Sequence, residues 1–168
     1  MCEHVLGRVA EALTSCGAQP FQYGLAAGTV AWDDCCGQLN VAPERIYRTA
    51  RWPIEGPDEN NCYEGEIAVD LVVLLVRCVP TLDDRGNPPT PAALSNAYGL
   101  ILDDGAIVWN ELAHGDWPDD WKWTNEAQTF VGAEGGCIAV ETRITVGIDQ
   151  ELWCTGCPPE AAPLPAPD

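Results

Sequence analysis

The stretch from Glu66 to Val79, Glu-Ile-Ala-Val-Asp-Leu-Val-Val-Leu-Leu-Val-Arg-Cys-Val, constrains the fold more than any other part of this 168-residue chain. It is rich in Val and Leu and lacks the polar alternation of a strand with one wet face. It therefore predicts a central strand buried on both faces, terminated by Pro80. Such a strand needs a partner on each edge and a cover on each face. Its apolar part, Ile67 to Val76, is interrupted by Asp70 and falls far short of the ~20 residues of a membrane-spanning helix. No membrane segment is expected.

The rest of the sequence supplies candidates for partners and covers. Val5, Val9, Leu13 and Cys16 recur at a three-to-four spacing, which predicts an amphipathic helix over residues 3–16, stopped by Gly17 and Pro20. Extended segments are expected over Gly24–Trp32, Gln38–Val41 and Arg45–Trp52, then a Pro-, Gly- and acid-rich loop from Pro53 to Asn61. After the central strand, Asp83-Asp-Arg-Gly-Asn87 reads as a turn. Thr90-Pro91 reads as an N-cap followed by proline at the first helical position. The apolar pattern Ala93, Leu94, Ala97, Tyr98 and Ile101 predicts a helix, and Asp103 or Asp104 is expected to cap a second helical piece over Ala106–Ala113. An aromatic and acidic loop from Asp116 to Trp123 leads to a last strand region, Gly135–Ile148. The expected fold is α+β: a largely antiparallel sheet with an N-terminal helix and a second helical segment packed on it. The domain is expected to span residues 1–152, with 153–168 as a Cys/Pro-rich extended tail.

Charge and cysteine content narrow the function classes. Eight Lys and Arg stand against 26 Asp and Glu, a formal charge of −18. Binding a phosphate backbone or an anionic membrane requires cations that displace counterions, so neither is an expected partner. Met1-Cys2-Glu3-His4 lacks the basic start and apolar core of a secretory signal, and the expectation is a protein made and assembled in a cytosol. Most of the nine cysteines are then read as small buried hydrophobes, Cys78 and Cys137 most clearly.

Equipment for catalysis is sparse. The chain has two histidines, two serines and one lysine. His4 and His114 are read as helix-end residues, and Ser15 and Ser95 lack the flanking glycines of a nucleophile elbow. Trp117, Trp121 and Trp123 with Asp116, Asp119 and Asp120 suggest either a loop pinned by its aromatics or a sugar- or calcium-binding loop, although calcium-loop spacing is not met. Cys154-Thr-Gly-Cys157 is the sharpest chemical signal. It fits half of a zinc site, which Cys35-Cys36 could complete, or a local disulfide, or free thiols. No catalytic or cofactor-binding residues are expected.

Three stretches carry a resemblance: Gly28-Thr-Val-Ala-Trp-Asp-Asp-Cys-Cys-Gly-Gln-Leu39, Arg77-Cys-Val-Pro-Thr-Leu-Asp-Asp-Arg-Gly-Asn-Pro-Pro-Thr-Pro91 and Gly135-Gly-Cys-Ile-Ala-Val-Glu-Thr-Arg143. Together they resemble small neck proteins of tailed phages infecting actinobacteria, and the element order is similar to the lambda-type tail terminator family. The resemblance covers roughly residues 2–150. It implies a virion protein forming a ring, typically hexameric, that caps the tail tube and joins it to the head connector. The implied partners are copies of itself, the major tail tube protein and the head-to-tail stopper, with DNA passing through unbound. Arg45, Arg48 and Arg51, the only concentrated positive charge, are the candidates for pairing with a neighbour's carboxylates or with their own subunit's. Asp33, Asp34, Asp83, Asp84, Asp116, Asp119 and Asp120 are candidates for an acidic lumen or rim. The competing readings are a mostly-β stopper or mostly helical adaptor of the same neck, and a zinc or thiol protein centred on Cys154 and Cys157.

Overall fold

The computed structural model describes residues 1–18, 22–26, 37–49, 51–56 and 66–149. Two helices and five strands follow in the order α1 (Cys2–Ser15), β1 (Gln22–Leu25), β2 (Gln38–Thr49), β3 (Glu66–Cys78), α2 (Pro91–His114), β4 (Lys122–Glu134) and β5 (Cys137–Asp149). The strands form one sheet in the order β1-β2-β3-β5-β4. Only the β1–β2 pair is parallel. The α+β class and the central place of β3 are as expected.

Residue parity on β3 decides what each face of the sheet becomes, because successive side chains point to opposite sides. Val69, Leu71, Val73 and Leu75 point to one side and are essentially inaccessible. Their cross-strand partners Ile144, Val140, Val41 and Leu39 share that side. Both helices cover it: Val5, Leu6, Val9 and Leu13 of α1 and Ile101, Val108 and Leu112 of α2 join the same core. Fully burying one such side chain is worth about 1.5–3 kcal/mol, so this layer dominates the stability.

The opposite face, called the outer face below, departs from the doubly buried expectation. Ala68, Asp70 and Val76 are buried there, but Val72 and Leu74 are only half-buried and Cys78 is exposed. The Trp52 ring lies against Gly147, so close that a Cβ there would meet it at 2.3 Å.

Each element has a local cause. Gly17, at φ +76°, follows α1 as its stop. The Thr90 hydroxyl accepts the Ala93 amide at 3.2 Å and Pro91 opens α2, as the sequence predicts. Gly135 and Gly136, both at positive φ, form the two-residue turn between β4 and β5.

Three expectations are corrected. Gln38–Val41 and Arg45–Trp52 are not separate: β2 runs through to Thr49, with the register shift between Pro43 and Arg45 absorbing the proline. The two expected helical pieces are a single α2, because Asp104 does not cap a new helix but sits inside this one, buried against Arg77. Residues 122–134, left without an element by the sequence reading, form β4.

Arg77 leaves the end of β3 on the helix side. Its Nε donates to Asp104 at 2.6 Å and its Nη2 to the carbonyl of Ala18, just after α1. The Arg77 and Asp104 side chains are 20% and 6% exposed. Removing one partner strands the other's charge in a low dielectric, a loss of about 3–5 kcal/mol, whereas removing both is far milder. Arg77→Met should therefore lower the urea midpoint strongly, and Arg77→Met with Asp104→Leu should recover most of it. Equal losses in the single and double variants would refute this account.

Candidate functional site

The outer face carries a connected set of polar side chains. Arg45 donates through Nε to Asp70 at 2.9 Å and through Nη1 to Glu55 at 2.7 Å, and its guanidinium lies 4.4 Å from the centre of the Tyr47 ring. The buried Thr145 hydroxyl donates to Asp70 at 2.8 Å and contacts Glu126. Beside this set, Arg143 bridges Glu44 and Glu141, and Lys122 pairs with Glu66. Burial, reinforced by the negative Asp70, pushes the Tyr47 phenol up from its ordinary value. Hydrogen bonding to Asp70 raises the Arg45 guanidinium, and hydrogen bonding to Glu44 raises that of Arg143. The arrangement holds charges in fixed pairs. Among the described residues no three His, Cys, Asp or Glu side chains are grouped to hold a metal ion.

Strand geometry separates the candidate arginines. Arg45 pairs in register with Asp70 and points to the outer face, whereas Arg48 pairs with Ile67 and points to the helix side. Arg51 is exposed in the turn closed by its bridge to Ile54. A spacing of three is one face of a helix but both faces of a strand, so the three do not form a single stripe. Arg45 is engaged by carboxylates of its own subunit.

The acidic candidates also divide. Asp83 and Asp84 lie between β3 and α2, and Asp116, Asp119 and Asp120 between α2 and β4. All five are exposed. The 24 residues of α2 set the two loops about 36 Å apart, at opposite ends of the sheet. Asp33, Asp34, Cys154 and Cys157 lie outside the described residues.

The aromatic loop is pinned by its own rings. Trp117 stacks on Trp123 with centroids 4.2 Å apart and planes 11° from parallel, and His4 of α1 contacts Trp117 and stands edge-on to Trp121. Trp123 Nε1 donates to Asn125 at 2.9 Å. Trp117 and Trp123 turn a face to each other, which favours the pinned-loop reading over sugar stacking. The cysteine reading is corrected at both of its clearest positions: Cys78 is exposed, and Cys137, though buried, is disulfide-bonded.

Sequence reasoning missed the surfaces that stand out most. Tyr98, Leu102 and Trp109 form a stripe along α2 beside Phe130 of β4, all at least 36% exposed. At the opposite edge of the sheet, Tyr23 and Leu25 of β1, Ile46 of β2 and Ile54 of the following turn are each at least half exposed. The Tyr98/Leu102/Trp109 spacing was legible as a helical stripe, but the sequence does not tell which stripe of α2 the sheet covers. The chain matches no protein-family model and no curated protein.

Asp83 gives a titration that tests its loop. Its carboxylate accepts the amides of Arg85 and Asn87 and the Asn87 side chain, at 2.8–2.9 Å. The Asn87 side chain, then its backbone amide, hold the Asp83 carboxyl below its usual range. A depressed carboxyl stabilises the fold above the unfolded value of about 3.9 and loses that contribution as pH falls through the lower folded value. Carbon-13 NMR should place the Asp83 midpoint below an ordinary aspartate, and Asn87→Ala should return it upward. An unchanged midpoint in Asn87→Ala would contradict the assignment.

Proposed function

We propose that this protein is a structural subunit of a phage neck, assembling as a tail-terminator-like ring that caps the tail tube and joins it to the head connector. The observation that carries the reading is the pair of unlike apolar surfaces at opposite edges of one sheet, Tyr98/Leu102/Trp109/Phe130 on one side and Tyr23/Leu25/Ile46/Ile54 on the other. Two different edges that bury each other make a head-to-tail contact, which repeats from copy to copy, and closes into a ring where the rotation between copies allows, rather than stopping at a two-fold dimer. Large exposed apolar patches on a soluble subunit mark such contacts.

Three further points support it. Helices of 14 and 24 residues on a five-stranded sheet fit the terminator pattern better than a mostly-β stopper or a mostly helical adaptor. The three sequence stretches resemble the same phage group. The charge of −18 suits a channel that DNA crosses without being held. Copies of the chain, the major tail tube protein and the stopper are the proposed partners, in the virion neck.

The direct test is negative-stain microscopy of particles lacking the protein. Tails of uncontrolled length, or tails without heads, support a terminator, and normal tails joined to heads overturn it. The edge contact is tested with Phe130→Asp and Ile46→Asp. Each variant alone should remain monomeric, and an equimolar mixture should form heterodimers and nothing larger, because one complete contact survives. Screening of the acidic self-repulsion predicts that wild-type association strengthens with salt. Sedimentation velocity reads both, and a mixture that stays monomeric argues against a head-to-tail contact.

A further inference from the structure

Two cysteines stand opposite each other at one end of the outer face. Cys78 closes β3, Cys137 opens β5, and the two are partners in the β3–β5 register. The Val79 amide donates to the Gly136 carbonyl at 2.8 Å. That hydrogen-bonded pair is the next rung of the ladder, so Cys78 and Cys137 form a non-hydrogen-bonded pair. In such a pair the Cα atoms are about 4.5 Å apart and the side chains share a face. The separation lies within the range that a disulfide spans.

The two sulfurs are in different states. Cys78 is exposed and carries a thiol. Cys137 is 2% exposed and disulfide-bonded, and its partner is none of Cys2, Cys16 and Cys78, which are thiols. A thiol therefore lies beside a disulfide in which it takes no part. We propose that Cys78 displaces the present partner of Cys137 by thiol–disulfide exchange, so that Cys137 switches between two disulfides.

The step balances without an oxidant or a reductant. Cys78 gives its thiol proton to water, and the thiolate attacks Cys137 Sγ. The Cys78–Cys137 bond forms as the existing bond breaks, and the displaced sulfur leaves as a thiolate that takes up a proton. One disulfide and one thiol are present before and after. The strand register holds the reacting groups side by side, which makes the attack intramolecular. Nine cysteines cannot all pair within one chain, so a thiol always remains to carry the exchange.

The two states differ in what they hold. In one, Cys137 ties another cysteine of the chain to the outer face, beside Val76 and Ala139. In the other, the end of β3 is joined to the start of β5. These strands are already paired along their whole length, so the new link constrains little that the ladder does not fix. The effect of the exchange is the release of the former partner. Neither state depends on the ring reading.

Mass spectrometry of the full chain, purified without reductant, tests the exchange. The protein is incubated in degassed neutral buffer, quenched with acid, alkylated with N-ethylmaleimide and digested with trypsin. The expected result is a disulfide-linked pair of peptides, residues 78–85 and 123–143, beside the original link to Cys137. Its share should settle to a constant value within minutes to hours. The intact mass should stay constant, and thiol should appear at the former partner in equal molar amount. Cys78→Ser, or alkylation of Cys78 before the incubation, should leave the original link alone in the digest. A Cys137 that keeps one partner throughout, or has none, overturns the proposal. A Cys78–Cys137 link formed with loss of two hydrogens also overturns it, because that is oxidation, and so does a link between two chains, seen as a dimer on a non-reducing gel.

Discussion

One guanidinium, that of Arg77, sits where the end of β3, the middle of α2 and the chain just beyond α1 converge. It donates to Asp104 and to the Ala18 carbonyl, so it fixes both helices relative to the central strand. The apolar layer beneath supplies most of the free energy but little direction, since hydrophobic burial does not depend on orientation. A buried ion pair adds the directional element, because a misplaced helix would leave a charge unpartnered in a low dielectric. With both helices held over one side of the sheet, the other side is left to side chains and loops.

That division explains the chemistry of the outer face. Along β3 and β5 it changes from charged residues around Asp70, Arg143 and Glu141 to a small apolar group of Val76, Ala139 and Cys137 with Leu74 and Val131 beside it. Asp70, nominally a break in an apolar strand, is the residue around which Arg45, Tyr47 and Thr145 are arranged. A charge at this position makes the two faces of β3 unequal. A one-residue slip of register would then move it into the apolar layer under the helices.

The features legible in the sequence were those set by local chemistry. α1 follows from its apolar spacing and Gly17, the start of α2 from Thr90-Pro91, the Asp83 turn from its Asp and Gly residues, and β3 from its composition. What escaped depended on partners distant in sequence. Asp103-Asp104-Gly105 looks like an interruption until Asp104 is seen to be neutralised by Arg77, 27 residues away, and Gly105 to be packed against Gln128 and Phe130. β4 is masked by its register shifts near Asn125 and Val131, which break the alternation that would mark a strand. The arginines at 45, 48 and 51 form a stripe only if β2 is read with a helical period. The exposed apolar edges were hidden for the same reason: exposure is a property of the assembled layers, not of any segment.

Charge and apolar surface together limit how copies of this chain can meet. Arg8, Arg45, Arg77, Lys122 and Arg143 are held on carboxylates of their own subunit. These cations are already engaged, and the large acid excess opposes association between identical subunits at every orientation. Attraction between copies must then come from desolvating apolar area, and the exposed apolar side chains described at the two sheet edges are where such area is concentrated. Long-range repulsion with short-range attraction at two unlike edges favours contacts that bury those edges fully and keep the acidic loops apart. The ring proposed above would meet both conditions, because every copy would bury both of its edges and leave the loops at the two ends of α2 in solvent.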